Sequence, residues 1–397
     1  MASLYQTAAN VRKIILGFLV FSVILIGYDT YQRFQIQSKE SGIKALSQRR
    51  FYMEPSRVFG EIEFITVPGI SGVNYYPSTF TVESIYPAFP DVAYVYQLEK
   101  PRIRSNTTED ALEVARNLGF QDLSSQLDSE IYEWFSQDKA KRLTFDLGGK
   151  KWLLKTDYVN SLDAKSSKRV LNDITSYPPL IKNIIKRLNF GTFGLPDGKV
   201  DVKLSTMDPN GNFTEVSSSA QASYVHIFVK RSIPLADLKP ASLQPERLPN
   251  EKVPTPVSGY VFKKDPRRGS INFVVSNDLR NLSKDFFELE FTDFNYLPQK
   301  GAYLIVTPSE AFTNLQLGRG SLVYVGPQNS DFFENYTNIK LLRVRFDARR
   351  TELGYYEPDS YVNNGYVIPI YIFRGTAEME DGRLATVVFY IDAIKRI

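Results

Sequence analysis

The stretch Gly354–Gly375, GYYEPDSYVNNGYVIPIYIFRG, holds five tyrosines, two prolines and three glycines, with no histidine or cysteine. Its second half alternates. Ile370 and Ile372 fall on one face of an extended chain, and Tyr371 and Phe373 on the other. Both faces are apolar, so IPIYIFRG reads as a sheet strand with Pro369 at its start, where a missing N–H costs least. YYEPDSYVNNG is the loop feeding it, with Asn364-Gly365 as the turn. Most of this aromatic surface is therefore expected in a core. Packing explains Tyr361 and Tyr366 least, since both fall in the loop, and they become the candidate partner-contact residues.

Similar signals surround this strand. LATVVFY follows as a second strand, with Asp381-Gly382 at the hairpin tip. Upstream, Thr307 caps a short helix, Pro308 takes its first position and Glu310 completes a capping box. Val92–Leu98 is the best strand of the first hundred residues. Asn106 or Thr107 caps a second helix, whose stripe is Ala111, Leu112, Ala115 and Leu118, ending at Gly119. Leu143–Asp146 and Trp152–Lys155 flank DLGGKK as hairpin arms. Residues 165–188 read as helical, broken near Tyr177-Pro178-Pro179. MDPNGNFT is a reverse turn rather than a calcium loop, because the later Glu spacing is missing.

Composition narrows the function. The 397 residues are 43% hydrophobic and 23% charged, with 51 Tyr and Phe, as expected for a folded, β-rich protein. A net charge of +4, spread along the chain, gives no nucleic-acid groove. The absence of cysteine excludes disulfides, thiolate chemistry and Cys-ligated metals. His226 is the one histidine, and it sits in the strand pattern SYVHIFVKR beside Tyr224 and Phe228, without a visible catalytic partner. No phosphate loop or nucleophile elbow is present, so no enzyme activity, cofactor or metal is expected. Four N-x-[ST] sequons begin at Asn106, Asn212, Asn281 and Asn335.

Fifteen uncharged, mostly apolar residues separate Lys13 from Asp29. As a helix they span about 22 Å, short of the ~30 Å hydrocarbon core. Snorkelling Arg12 and Lys13 and interfacial Tyr28 and Tyr31 extend that reach. Without an A-x-A-like cleavage site, the segment reads as an uncleaved signal anchor. Its bilayer-facing residues are Ile14, Phe18, Phe21, Ile24 and Tyr28. Arg12 and Lys13 place the N-terminus in the cytoplasm, so the rest of the chain is expected to be extracytoplasmic on a single-pass cell-membrane protein.

The expected organisation is an anchor over residues 1–34, a stalk with short β segments over 35–101 and a first α/β module over 102–240. A Pro-rich linker over 241–258 then leads to a second module over 259–397. Ile233–Val257 carries six prolines, which puts the boundary near Pro245.

The C-terminal third resembles the extracytoplasmic PepSY-like modules, including the YycH/YycI-type regulatory proteins. The matching positions are Ser309, Ala311, Leu315, Gly318, Val344, Gly354, Tyr355, Tyr356, Pro369, Tyr371, Phe373, Tyr390 and Ala393. This chain departs from the pattern by adding ARRTELG before the tyrosine pair. The resemblance implies an α+β fold: an N-terminal transmembrane helix, then two PepSY-like units of antiparallel sheet packed with helices. It also implies a non-enzymatic module that regulates or scaffolds an envelope protein, such as a sensor kinase or peptidase. A small-ligand sensor and a structural subunit of a surface assembly are the alternatives.

Overall fold

The central strand runs Tyr366–Met379, longer than the sequence pattern alone delimits. Its alternation holds. Tyr371, Phe373 and Ala377 enter one core, while Ile368, Ile370 and Ile372 enter another on the opposite face. Pro369 lies inside the strand rather than at its start, and the pairing explains why it is tolerated. On one edge Tyr366 and Val367 face Gln97 and Tyr96, and from Ile370 onward the neighbour is Leu384–Asp392. Pro369 falls at that change of partner. Its carbonyl still accepts from Ala393 N at 3.1 Å, and its absent N–H falls between two ladders.

This computed structural model describes residues 55–397, apart from 65–66, 101–106, 121–124, 129, 149, 167–172, 189–194, 196–197, 237–256, 277–280, 293, 329–331, 335, 337, 360, 362–364 and 397. The protein is α+β. Among the described residues its strands form two sheets, one of eleven and one of nine strands. The nine-stranded sheet is antiparallel throughout and runs spatially from Ser125–Asp128 to Phe213–Glu215. The eleven-stranded sheet is mixed, with Val73–Asn74, Thr81–Glu83 and Val257–Phe262 each paired in parallel to a neighbour.

Helices cover one face of each sheet. Thr107–Asn117 supplies Ala111, Val114 and Ala115, and Tyr177–Arg187 supplies Ile181, Ile184 and Ile185. These meet Val225, Ile227, Phe273 and Leu289 of the nine-stranded sheet. Gly119 closes the first helix at φ +91°, which a β-carbon would disfavour. Pro178 and Pro179 do not break a helix but open one, where their missing N–H groups are not needed. The Pro308–Gln316 helix carries the expected capping box. Thr307 Oγ1 accepts from Glu310 N at 3.2 Å, and Glu310 Oε2 accepts from Thr307 N at 2.7 Å. The added ARRTELG is absorbed by a 3-10 turn at Ala348–Arg350. Pairing to the central strand stops at Phe346↔Gly375 and resumes at Glu352↔Ile372.

The sheets do not follow the expected boundary near Pro245. Ile271–Val275 and Phe286–Thr292 come from the second half of the chain but pair in the nine-stranded sheet, between Tyr224–Lys230 and Lys151–Thr156. Val92–Leu98 and Ser232–Ala236 come from the first half but belong to the other sheet. The described residues fall within one compact unit, Met53–Asp237 with Pro254–Ile397. The anchor residues Ile14, Phe18, Phe21, Ile24 and Tyr28 lie outside the described residues. Among those described, no helix is long and apolar enough to cross a membrane.

Candidate functional site

One crossing between the sheets is the segment Lys263–Ser270, KKDPRRGS, linking Val257–Phe262 to Ile271–Val275. Its sequence dictates a turn. Asp265 accepts from Arg267 N at 3.0 Å through its side chain and from Arg268 N at 3.1 Å through its carbonyl, with Pro266 at the position that fixed φ favours. Gly269 must be glycine, since a β-carbon there would lie 2.3 Å from the Val229 carbonyl oxygen. Asn272 Oδ1 accepts from Gly269 N at 2.8 Å and completes the turn.

The turn projects Arg267 and Arg268 into an open cleft with two contiguous arms, about 490 and 520 Å³ in volume. Both arms share Lys151, Asp265, Arg267, Arg268, Asn272 and Glu290. Lys155, Lys263 and Lys264 raise the cations to six, against four carboxylates: Asp265, Glu288, Glu290 and Asp359. Arg267 is fixed. It grips Asp265 through Nε at 3.0 Å and Nη2 at 2.7 Å, and donates from Nη1 to the Phe332 carbonyl at 2.6 Å. Its guanidinium also lies 4.4 Å from the Tyr324 ring centroid, a cation–π geometry. Glu290 is shared between Arg268 at 2.5 Å and Lys151 at 3.3 Å. Burial alone would raise the Glu290 pKa, but those two cations outweigh it and hold the carboxyl ionised and lowered. Ser270, 2% exposed, lines one arm with a hydroxyl that has no hydrogen-bond partner among the described residues.

The second arm runs along the polar face of the nine-stranded sheet. His226 lies on the face opposite Val225 and Ile227, as its alternation predicts. Its Nε2 is 2.8 Å from Ser205 Oγ, and the Phe213 and Phe333 rings flank it at 4.5 and 4.4 Å. Sequence gave no sign of this pair, because Ser205 sits on a neighbouring strand. Burial, and then the charge of Arg268, push the His226 pKa down to about 3, leaving the imidazole neutral. Ser205 is fully buried, so the pair satisfies two interior polar groups rather than presenting a nucleophile. Glu288, its pKa raised chiefly by burial, accepts from Tyr158 OH at 3.0 Å.

A buried ionic group lies behind the cleft. Lys263 Nζ is 2.7 Å from Glu357 Oε1, with side chains 8% and 0% exposed. Tyr296 OH donates to Glu357 Oε2 at 2.5 Å, and Lys263 also donates to the Pro358 carbonyl at 3.0 Å. Burial opposes ionisation of Glu357, but Lys263 and then Arg231 overcome it and keep the carboxyl lowered. This group fixes the start of the loop that carries Tyr361.

Neither tyrosine picked out by the sequence lines the cleft. Tyr361 is half-buried against the main core. Tyr366 is the first residue of the central strand rather than a loop residue, and its ring lies 5.3 Å from that of Phe59. The signal that marked the cleft was FKKDPRRGS, four cations around one Asp-Pro. Charge dispersed over the rest of the chain obscured it. Among the described residues no cluster of His, Asp and Glu is placed to hold a metal.

No protein-family model matches the chain, nor does any curated protein. Among the solved structures that are similar is an uncharacterized protein from Eubacterium rectale, at TM-score 0.41 and 12% sequence identity, over 80% of this chain and 91% of that one.

Proposed function

We propose that the chain is a membrane-anchored, extracytoplasmic interaction protein that regulates or scaffolds an envelope partner, without catalysing a reaction. The resemblance of the positions between Ser309 and Ala393 to the PepSY-like pattern supports this reading. One observation carries the functional reading: the groups at the centre of the cleft are engaged with one another, Arg267 with Asp265, and Glu290 with both Arg268 and Lys151. Side chains held this way present a fixed charge pattern, which suits recognition more than proton transfer. A small-ligand sensor is the second reading, favoured by cleft volumes within the ~300–1,000 Å³ usual for such sites. The test is photo-crosslinking in intact membranes from a photoreactive residue at Lys264 and, separately, at Tyr361. A discrete adduct with another envelope protein is expected. Self-adducts alone, or none from either position, would remove the interaction reading.

A further inference from the structure

We propose that the cleft receives an acidic segment of a partner polypeptide. This rests on the interaction reading above and names the partner's chemistry. Among the described residues Glu290 is the ion-pair partner of both Arg268 and Lys151, so this pair of cations carries one positive charge more than the carboxylate between them, and Glu288 acts on Arg268 only through its field. Lys264 stands exposed at the rim with no ion pair among the described residues. An incoming carboxylate can therefore bind Arg268 without displacing Glu290 from Lys151, in the charge-assisted geometry arginine favours. Arg clusters are a recurrent device for reading acidic motifs.

The second, independent observation is Ser270. Its hydroxyl is buried against the same wall and has no partner among the described residues, so it can serve a backbone carbonyl or a carboxylate entering the cleft. The cations are strung along a cleft whose arms run into one another, and Tyr324 and Tyr336 form part of one wall. This suits an extended chain carrying several carboxylates. A lone small anion would call for a single focus of charge.

The experiment measures binding of a fluorescein-labelled hexaglutamate peptide to the full chain in detergent, with hexalysine and hexaserine as controls. Saturable binding to hexaglutamate alone is expected, weakening as salt rises from about 50 to 300 mM. Arg268→Gln and Lys264→Gln should each weaken it by about tenfold, the effect of one lost charged contact. Lys340→Gln, at an exposed pair with Glu380 elsewhere on the surface, should not. Lys264→Gln guards the test against misfolding, because that side chain is exposed. Three results would overturn the proposal: no binding, binding indifferent to both cleft variants, or equal competition by glutarate or inorganic phosphate, which would mark a small-anion site. If crosslinks to a partner form while hexaglutamate fails, this inference falls and the interaction reading stands. If hexaglutamate binds and no partner adduct forms, the interaction reading falls, and with it the assignment of the acidic segment to a partner polypeptide.

Discussion

At the scale of single residues, the interior polar groups make the sharpest predictions. His226 has an ordinary unfolded pKa near 6.5 and a folded value of about 3. Between those values the unfolded chain binds the extra proton, so stability rises with pH in that window. The neutral imidazole's contribution is complete above pH 6.5 and is lost as pH falls toward 3, at up to ~1.4 kcal/mol per pH unit. Denaturant titrations of wild type and His226→Gln from pH 7 to pH 4 should show a shallower fall for the variant. Parallel curves would mean the ring is not held neutral. Glu357→Gln strands the ammonium of Lys263, which is 8% exposed, and should cost about 3–5 kcal/mol. Adding Lys263→Met removes the stranded charge while glutamine still accepts from Tyr296, so the double variant should recover most of that loss. A double variant as unstable as the single one would show that the ion pair is not the cause.

At the scale of elements, much of the structure was legible. Thr307, Pro308 and Glu310 state a helix start in consecutive local hydrogen bonds, and the chain forms it. Thr307→Ala should cost about 1 kcal/mol by urea denaturation, the usual worth of an N-cap, and no change would mean the cap is dispensable. Asp381-Gly382 states a hairpin tip, and Gly382 sits there at φ +81°. These features were readable because their determinants lie within a few residues of one another. Pro369 was placed at a strand start because sequence shows the missing donor but not which neighbours flank it. The same limit hid the cleft. Arg267 and Arg268 were visible, but Glu290 and Lys151 reach them only through pairing between distant strands, and Phe332 only from a turn far along the chain.

At the scale of the molecule, the expected two modules become two sheets that share both halves of the chain. A fragment beginning at residue 259 would carry Ile271–Val275 and Phe286–Thr292 without the strands on either side of them. It would also lack Val92–Leu98 beside Tyr296–Leu304. Produced alone, fragments 1–245 and 246–397 should each give poorly dispersed amide spectra and rapid proteolysis, and co-expression should restore a protease-resistant complex. A stable, well-dispersed 246–397 fragment would show that the second half folds alone after all.

The interleaving also sets the order of events at birth. Tyr94 must wait for Ala302, and Val73 for Ile339, roughly two hundred residues or more further along the chain. As synthesis proceeds, Val92–Leu98 emerges with its hydrogen-bonding edges open and its apolar side chains bare. High contact order makes such pairing slow, and neither sheet can close until most of the polypeptide exists. A holding chaperone is therefore expected to raise its yield during production. In a refolding experiment its yield should fall steeply as concentration rises.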